Sequence, residues 1–252
     1  MKVRTRMKAY ARSALETLGY DIVATEDLVT LGGHLRKLLG ALRVNCVVDV
    51  GGHTGEFGQF LRRLGFEGEI ISIEPLTASF QALSAVAARE SRWRTHQLAL
   101  GNQDGELQLL VTNRTDLASF LKPNEYAVQS FGSRAEVVET QLVPVRRLDA
   151  ILDSLVAHVK NPRILLKLDT QGYDLRVLEG AAGCLDRLLA LQSEVSVKPI
   201  YEGMVTLPDA LRRFGELGFE ITGFFPVNVD ADGLRVIEFD CVMVRPATRP
   251  PA

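Results

Sequence analysis

VVDVGGHTGEFGQFL, residues 47–61, decides how the rest of the chain is read. It opens on an apolar run that contains Asp49, turns glycine-rich through Gly51, Gly52 and Gly55, and closes on an amphipathic stretch. That is the outline of a strand, a tight turn and a helix, the unit with which many α/β proteins hold nucleotide-like ligands. Outward from it, the same alternation continues. CVVDV (46–50) reads as a strand, GEFGQFLRRLG (55–65) as a helix, EIISIEP (69–75) as a strand and TASFQALSAVAARE (77–90) as a helix. THQLALG (95–101) is expected to be a third strand and GELQLLVT (105–112) a fourth, joined through turn residues. Strands follow at 140–145, 163–169 and 189–197, with helices at 173–188 and from Leu207 to Gly218, and a closing antiparallel hairpin pairs 219–227 with 235–245.

Strands alternating with helices argue for α/β architecture with a doubly wound, mostly parallel sheet. The 252 residues are expected to form a single domain. Residues 1–43, patterned with Leu28, Leu31, Leu35, Leu38, Leu39 and Leu42, would be a helical cap, 44–245 the core and 246–252 a tail.

The bulk composition closes several doors. Lys and Arg number 29 against 31 Asp and Glu, a net charge of −2 that makes no electrostatic case for nucleic acid. No apolar stretch is long enough to span a bilayer, and the basic N-terminus (Lys2, Arg4, Arg6, Lys8, Arg12) reads as a solvated helix. Cys46, Cys184 and Cys241 are far apart, which suits free thiols in a reducing, cytoplasmic compartment.

Which ligand the glycine turn holds follows from what it lacks. A dinucleotide fingerprint starting at Gly51 needs glycines at 53 and 56, where this chain has His53 and Glu56, and no Gly-Lys-Ser/Thr follows for a P-loop. Asp49 would repel a phosphate but suits a cationic amino acid, while Glu74, one strand later, suits a ribose diol. A ribose and an ammonium without phosphate describe S-adenosylmethionine, with Asp49, Gly51, Gly52, His53, Thr54, Gly55, Glu74, Pro75 and Ala99 as its expected contacts.

VVDVGGHTGEFG, IISIEP, LALGNQDGE, LLKLDTQGYDLRVLEGA, LQSEVSVKPIYEG and EFDCVMVR, in that order, resemble the FkbM-type S-adenosylmethionine-dependent methyltransferases over residues 44–245. The resemblance implies a class I methyltransferase fold, a seven-stranded Rossmann-like sheet with an antiparallel C-terminal strand. It also implies O-methylation of small molecules, such as sugars of bacterial glycolipids and polysaccharides, or antibiotics. The chain departs from the family's pattern at Asp174, where Glu is frequent, and at His53, where Asn is usual.

A sugar hydroxyl is a poor nucleophile at neutral pH and needs a general base or a metal. Asp169, ending one strand, and Glu194, in the next, are the expected catalytic pair, and would also be the ligands of any Mg2+. Asn113, Asp116, Ser119 and Phe120, from an irregular polar stretch, and Tyr201 and Glu202 are the expected acceptor contacts. His53 is expected to line the site and His96 to be structural. The rival readings are a nicotinamide-dependent reductase and a non-catalytic protein that binds the cofactor or serves as a scaffold. Oligomeric state stays open, a homodimer included.

Overall fold

The computed structural model describes residues 17, 30–230 and 232–246. The basic N-terminal stretch, most of the expected cap and nearly all of the tail lie outside the described residues. Seven strands build the main sheet: β1 (Cys46–Val50), β2 (Glu69–Ile73), β3 (Trp93–His96), β7 (Ile164–Leu168), β8 (Leu188–Ser196), β9 (Glu220–Val229) and β10 (Val236–Val244). Their spatial order is β3-β2-β1-β7-β8-β10-β9. Neighbours from β3 to β8 pair in parallel, and β10 runs antiparallel to both β8 and β9. The fold is that of a class I methyltransferase. β1 and β7 are buried at every position, as the near-continuous apolar runs of central parallel strands require.

Helices cover both faces. On one, α1 (Leu31–Ala41), α2 (Glu56–Arg63) and α3 (Thr77–Ala87) place Leu35, Leu61 and Leu83 in a core with Val47, Leu165 and Ala190. On the other, the core joins Val48, Leu166 and Leu168 with residues of α5 (Leu148–Val156), α6 (Asp174–Glu179) and α7 (Leu207–Glu216). A short α4 (Glu125–Phe131), capped by the Asn124 side chain, lies within the stretch expected to be irregular. Among the described residues no helix is long and apolar enough to cross a membrane.

Three features differ from the sequence reading. The strand expected over 95–101 breaks at Gln97: β3 ends at His96, and β4 (Ala99–Leu100) belongs to a second sheet. β5 (Gly105–Thr112) and β6 (Val137–Arg146) complete that sheet in the order β4-β6-β5. The turn before β5 is far shorter than the dozen or more residues a parallel crossover needs, so β5 pairs antiparallel with β6 and does not extend the main sheet. Finally, α5 was not anticipated, although Leu148, Ile151, Leu152, Leu155 and Val156 fall on one helical face and are all buried.

Candidate active site

Toward the carboxyl ends of the central strands, the face covered by α1–α3 changes character. Alternate residues run Ile70–Ser72–Glu74, Val47–Asp49–Gly51, Leu165–Lys167–Asp169 and Ala190–Gln192–Glu194. Register sets Ser72, Asp49, Lys167 and Gln192 side by side across β2, β1, β7 and β8, each no more than 5% exposed. Above this row opens a cavity of about 570 Å³, within the range of small-molecule sites.

The row is held by paired charges. Ser72 Oγ donates to Asp49 Oδ2 at 2.8 Å and itself accepts Trp93 Nε1 at 3.0 Å. Lys167 Nζ lies 3.1 Å from Asp49 Oδ1 and 3.4 Å from Asp169 Oδ2, and donates to the Gly51 carbonyl at 3.1 Å. Burial works against the Lys167 ammonium, but the carboxylates of Asp49 and Asp169 outweigh it and raise its pKa. Asp49, expected as a ligand contact, is fully buried and lies beneath the cavity wall rather than in it. Its charge is already neutralised by Lys167, and it anchors the floor.

The glycine turn is shaped by the strands beneath it. Gly51 has φ +76°, and a Cβ there would sit 1.9 Å from the Asp169 carbonyl oxygen, so only glycine lets β1 and β7 close at this point. His53 also takes positive φ, +43°, a conformation Asn and His tolerate better than most residues. Its backbone N–H donates to Glu74 Oε2 and that of Leu76 to Glu74 Oε1, both at 2.9 Å. Burial raises the Glu74 pKa against these two hydrogen bonds. Each carboxylate oxygen keeps a lone pair for a ligand.

At the far side Gln171, at φ +52°, joins the two expected catalytic carboxylates. Its Nε2 donates to Asp169 Oδ1 and to Glu194 Oε2, both at 2.9 Å, while Tyr201 Oη lies 2.8 Å from its Oε1. Ser119 Oγ donates to the Gln171 carbonyl at 2.7 Å and steadies this strained turn. Asp174 closes it from below, accepting from Thr170 N at 2.9 Å and from Ser193 Oγ at 2.6 Å. Burial, reinforced by Asp169 and Glu238, pushes Glu194 well above the usual carboxylate range.

The FkbM methyltransferase domain matches residues 49–221. The chain belongs to the FkbM methyltransferase family. Among solved structures, a putative methyltransferase from Thermobifida fusca is similar at TM-score 0.51 and 10% identity, over 85% of this chain and 78% of that one. Magnesium protoporphyrin IX methyltransferase from Synechocystis PCC 6803, solved with bound SAM, is similar at TM-score 0.47 and 10% identity, over 85% and 77% of the two chains. No curated protein matches.

Of the residues singled out from the sequence of this FkbM-family chain, Gly51, Gly52, His53, Glu74, Pro75, Ala99, Asp116, Phe120 and Asp169 line the cavity. The others fall elsewhere for identifiable reasons. Thr54 turns to Glu56, and Gly55 starts α2 at φ +98°, against Trp93. Asn113 bonds the Ser133 carbonyl, Ser119 and Tyr201 are buried behind Gln171, and Glu202 pairs with Lys122 on the surface. Glu194 touches the cavity only through Gln171. Its nearby lysines are engaged elsewhere: Lys167 is taken by Asp49 and Asp169, and Lys198 Nζ stacks 3.7 Å from the Tyr126 ring. His96, expected early in its strand, ends β3 and stays outside the wall.

Sequence reasoning missed Lys167 as the floor cation, Gln171 as the carboxylate bridge, and the wall residues Phe57, Phe60, Gln192 and Asp240. The signal for Lys167 and Gln192 was present: each is a long polar residue inside an otherwise apolar central strand. Among the described residues no group of three His, Cys, Asp or Glu is arranged to hold a metal. Asp169 and Glu194, expected as ligands of any Mg2+, are instead bridged by the Gln171 amide.

Proposed function

We propose that the chain is an S-adenosylmethionine-dependent O-methyltransferase acting on a hydroxyl of a small molecule, a sugar being the acceptor class that fits best. The observation that carries this reading is the presence of two unlike carboxylates, Glu74 after β2 and Asp169 after β7, in the wall of one cavity. Glu74, fixed by two backbone N–H groups, suits a ribose diol, with Pro75, Leu98 and Ala99 as apolar walls for a base. Asp169, 39% exposed at its side chain, is oriented by Lys167 and Gln171.

S-adenosylmethionine would supply a methyl group already activated on sulfur, so that its C–S bond breaks as the new C–O bond to the acceptor forms. The protein's share is alignment and proton removal. Asp169 takes the acceptor's hydroxyl proton, and its two partners hold the carboxylate in place, Gln171 at Oδ1 and Lys167 at Oδ2. Lys167 sets its ammonium 3.4 Å from Asp169 Oδ2. Burial and the neighbouring carboxylates raise the pKa of Glu194, which reaches the site through the Gln171 amide. Phe120, edge-on to Tyr173 at 5.0 Å, and the polar Asp116 offer a sugar its apolar face and its hydroxyls. The three cysteines are free and buried, in keeping with a reducing compartment.

Calorimetric titration with S-adenosylhomocysteine, with and without Mg2+ and with NADH as a control, tests the reading. Micromolar affinity, no NADH signal and no Mg2+ dependence are expected. Binding of NADH in preference would overturn it.

A further inference from the structure

The polar row ends on an atom that nothing satisfies. Gln192 is 2% exposed and contributes to the cavity wall from β8. Its Nε2 donates to Asp240 Oδ1 at 2.9 Å, which fixes the amide's orientation, and its Oε1 is buried without a hydrogen-bond partner. Such an oxygen is expensive to leave unpaired. Among the described residues no neighbour satisfies it. Lys167 Nζ already lies 3.1–3.4 Å from Asp49, Asp169 and the Gly51 carbonyl, and Asp240 accepts from the Gln192 amide. The described residues supply no hydrogen-bond donor for it, and a donor on a bound ligand would satisfy it.

Position says which ligand brings it. Across the sheet the cavity's polar groups succeed one another as Glu74 after β2, Asp169 after β7, Gln192 on β8 and Asp240 on β10. A cofactor reaching from Glu74 to the reacting centre at Asp169 stops short of β8, so Gln192 and Asp240 lie on the acceptor's side. We propose that Gln192 and Asp240 form a subsite for a second O–H of the acceptor, next to the one that is methylated. The acceptor is then a vicinal polyol, and the enzyme discriminates against a lone alcohol of the same ring size. This inference rests on the methyltransferase reading above.

The test measures transfer of tritiated methyl from S-adenosylmethionine to cyclohexanol, cis- and trans-1,2-cyclohexanediol and a set of methyl hexopyranosides. The wild type, Gln192→Met and Gln192→Glu are compared, with S-adenosylhomocysteine affinity and thermal midpoint measured for each. The expected result is about tenfold more transfer to the best diol or pyranoside than to cyclohexanol, the worth of one good hydrogen bond. Gln192→Met, similar in shape but without the amide, brings that ratio to near one, and so does Gln192→Glu, which loses the donor to Asp240 and sets a second carboxylate against it. Parity between diols and cyclohexanol in the wild type, lack of transfer to all of them included, overturns the proposal. So does a Gln192→Met protein that keeps the preference. If Gln192→Met instead loses about tenfold in S-adenosylhomocysteine affinity, the orphan oxygen serves the cofactor's ammonium and the proposal fails. A wild type that binds no S-adenosylhomocysteine is a different failure, because it removes the methyltransferase reading and this inference with it.

Discussion

The two faces of the main sheet share one backbone and differ in what happens along it. Against α5–α7 the alternate residues stay apolar to the strand ends, with Val48 and Val50, Ile71 and Ile73, and Leu166 and Leu168 all buried in one cluster. Against α1–α3 the same strands begin as Val47, Ile70, Leu165 and Ala190 and finish as Asp49, Ser72, Lys167 and Gln192. Burying an unpaired charge in such a strand is costly, so a polar residue persists there only with a partner or a task. One face therefore holds the fold together, and the upper half of the other is given to the site.

The sharpest way to break this comparison is at Asp169. Asp169→Asn should lower turnover by about 10²–10⁴-fold, the usual range for loss of a general base. Affinity for S-adenosylhomocysteine should stay within a few-fold, because Glu74 and the glycine turn are untouched. Full turnover in this variant would remove Asp169 from proton transfer.

Stability should separate the faces next. Leu166→Ala, on the apolar face, is expected to cost about 2–5 kcal/mol in urea unfolding without altering S-adenosylhomocysteine affinity. Its neighbour Lys167→Met should cost about 3–5 kcal/mol for a different reason, since Asp49 is left as a buried charge without compensation. Adding Asp49→Leu to Lys167→Met should then recover much of the loss, whereas no second polar-to-apolar change rescues Leu166→Ala. Equal losses in the single and double variants would mean that the ion pair is not what holds the floor.

Much of this was legible before the coordinates, and the limits are physical. The order of strands and helices follows from periodicity and glycine turns, and the cavity-lining role of Gly51, Gly52 and Glu74 from their place at strand ends. A residue's place in a strand says which end it lies near, but not whether another side chain has already claimed it. Asp49 was read as facing a ligand because nothing local announces that Lys167, over a hundred residues away, lies beside it in register. Gln171 was passed over because its role depends on a positive φ and on Glu194 in the adjacent strand. The acceptor loop was the least legible. Of Asn113, Asp116, Ser119 and Phe120, two line the cavity and two brace the loop, a division set by turns that the polar composition does not encode.

At the cofactor end, Glu74→Gln keeps the shape and one oxygen but loses the charge, and its NH2 meets one of the two backbone N–H donors that Glu74 accepts from. Hydrogen bonds to charged groups are worth about 1.5–3 kcal/mol, so S-adenosylhomocysteine affinity should fall about 10–100-fold, with a loss of about 1–3 kcal/mol in unfolding for the buried N–H left without an acceptor. An unchanged affinity would detach Glu74 from the ribose.

Glu194 sharpens the contrast through pH. Its pKa in the folded protein lies well above that of an unfolded glutamate, because burial and the nearby carboxylates disfavour its charge. The folded state thus holds this proton more tightly, and the stabilisation is complete below the unfolded pKa of about 4.3 and lost as pH rises toward the folded value. Glu194→Gln has no such proton to lose. The stability of the wild type relative to Glu194→Gln should decline steadily from about pH 4 upward, and parallel pH curves would sink the argument.

The smallest effect is expected where the sequence reading placed a site residue and the structure shows a surface pair. Glu202 lies 3.0 Å from Lys122 through side chains 58% and 68% exposed, away from the cavity wall. Exposed pairs of this kind are worth about 0.2–1 kcal/mol and are screened by salt. Glu202→Ala should therefore leave kcat/KM within about twofold and shift the urea midpoint slightly, less so at high ionic strength. A tenfold loss of kcat/KM would return Glu202 to the acceptor site. It would also mean that the segment from Lys198 to Gly203 closes over bound acceptor, so that the working site extends beyond the strand ends that define it here.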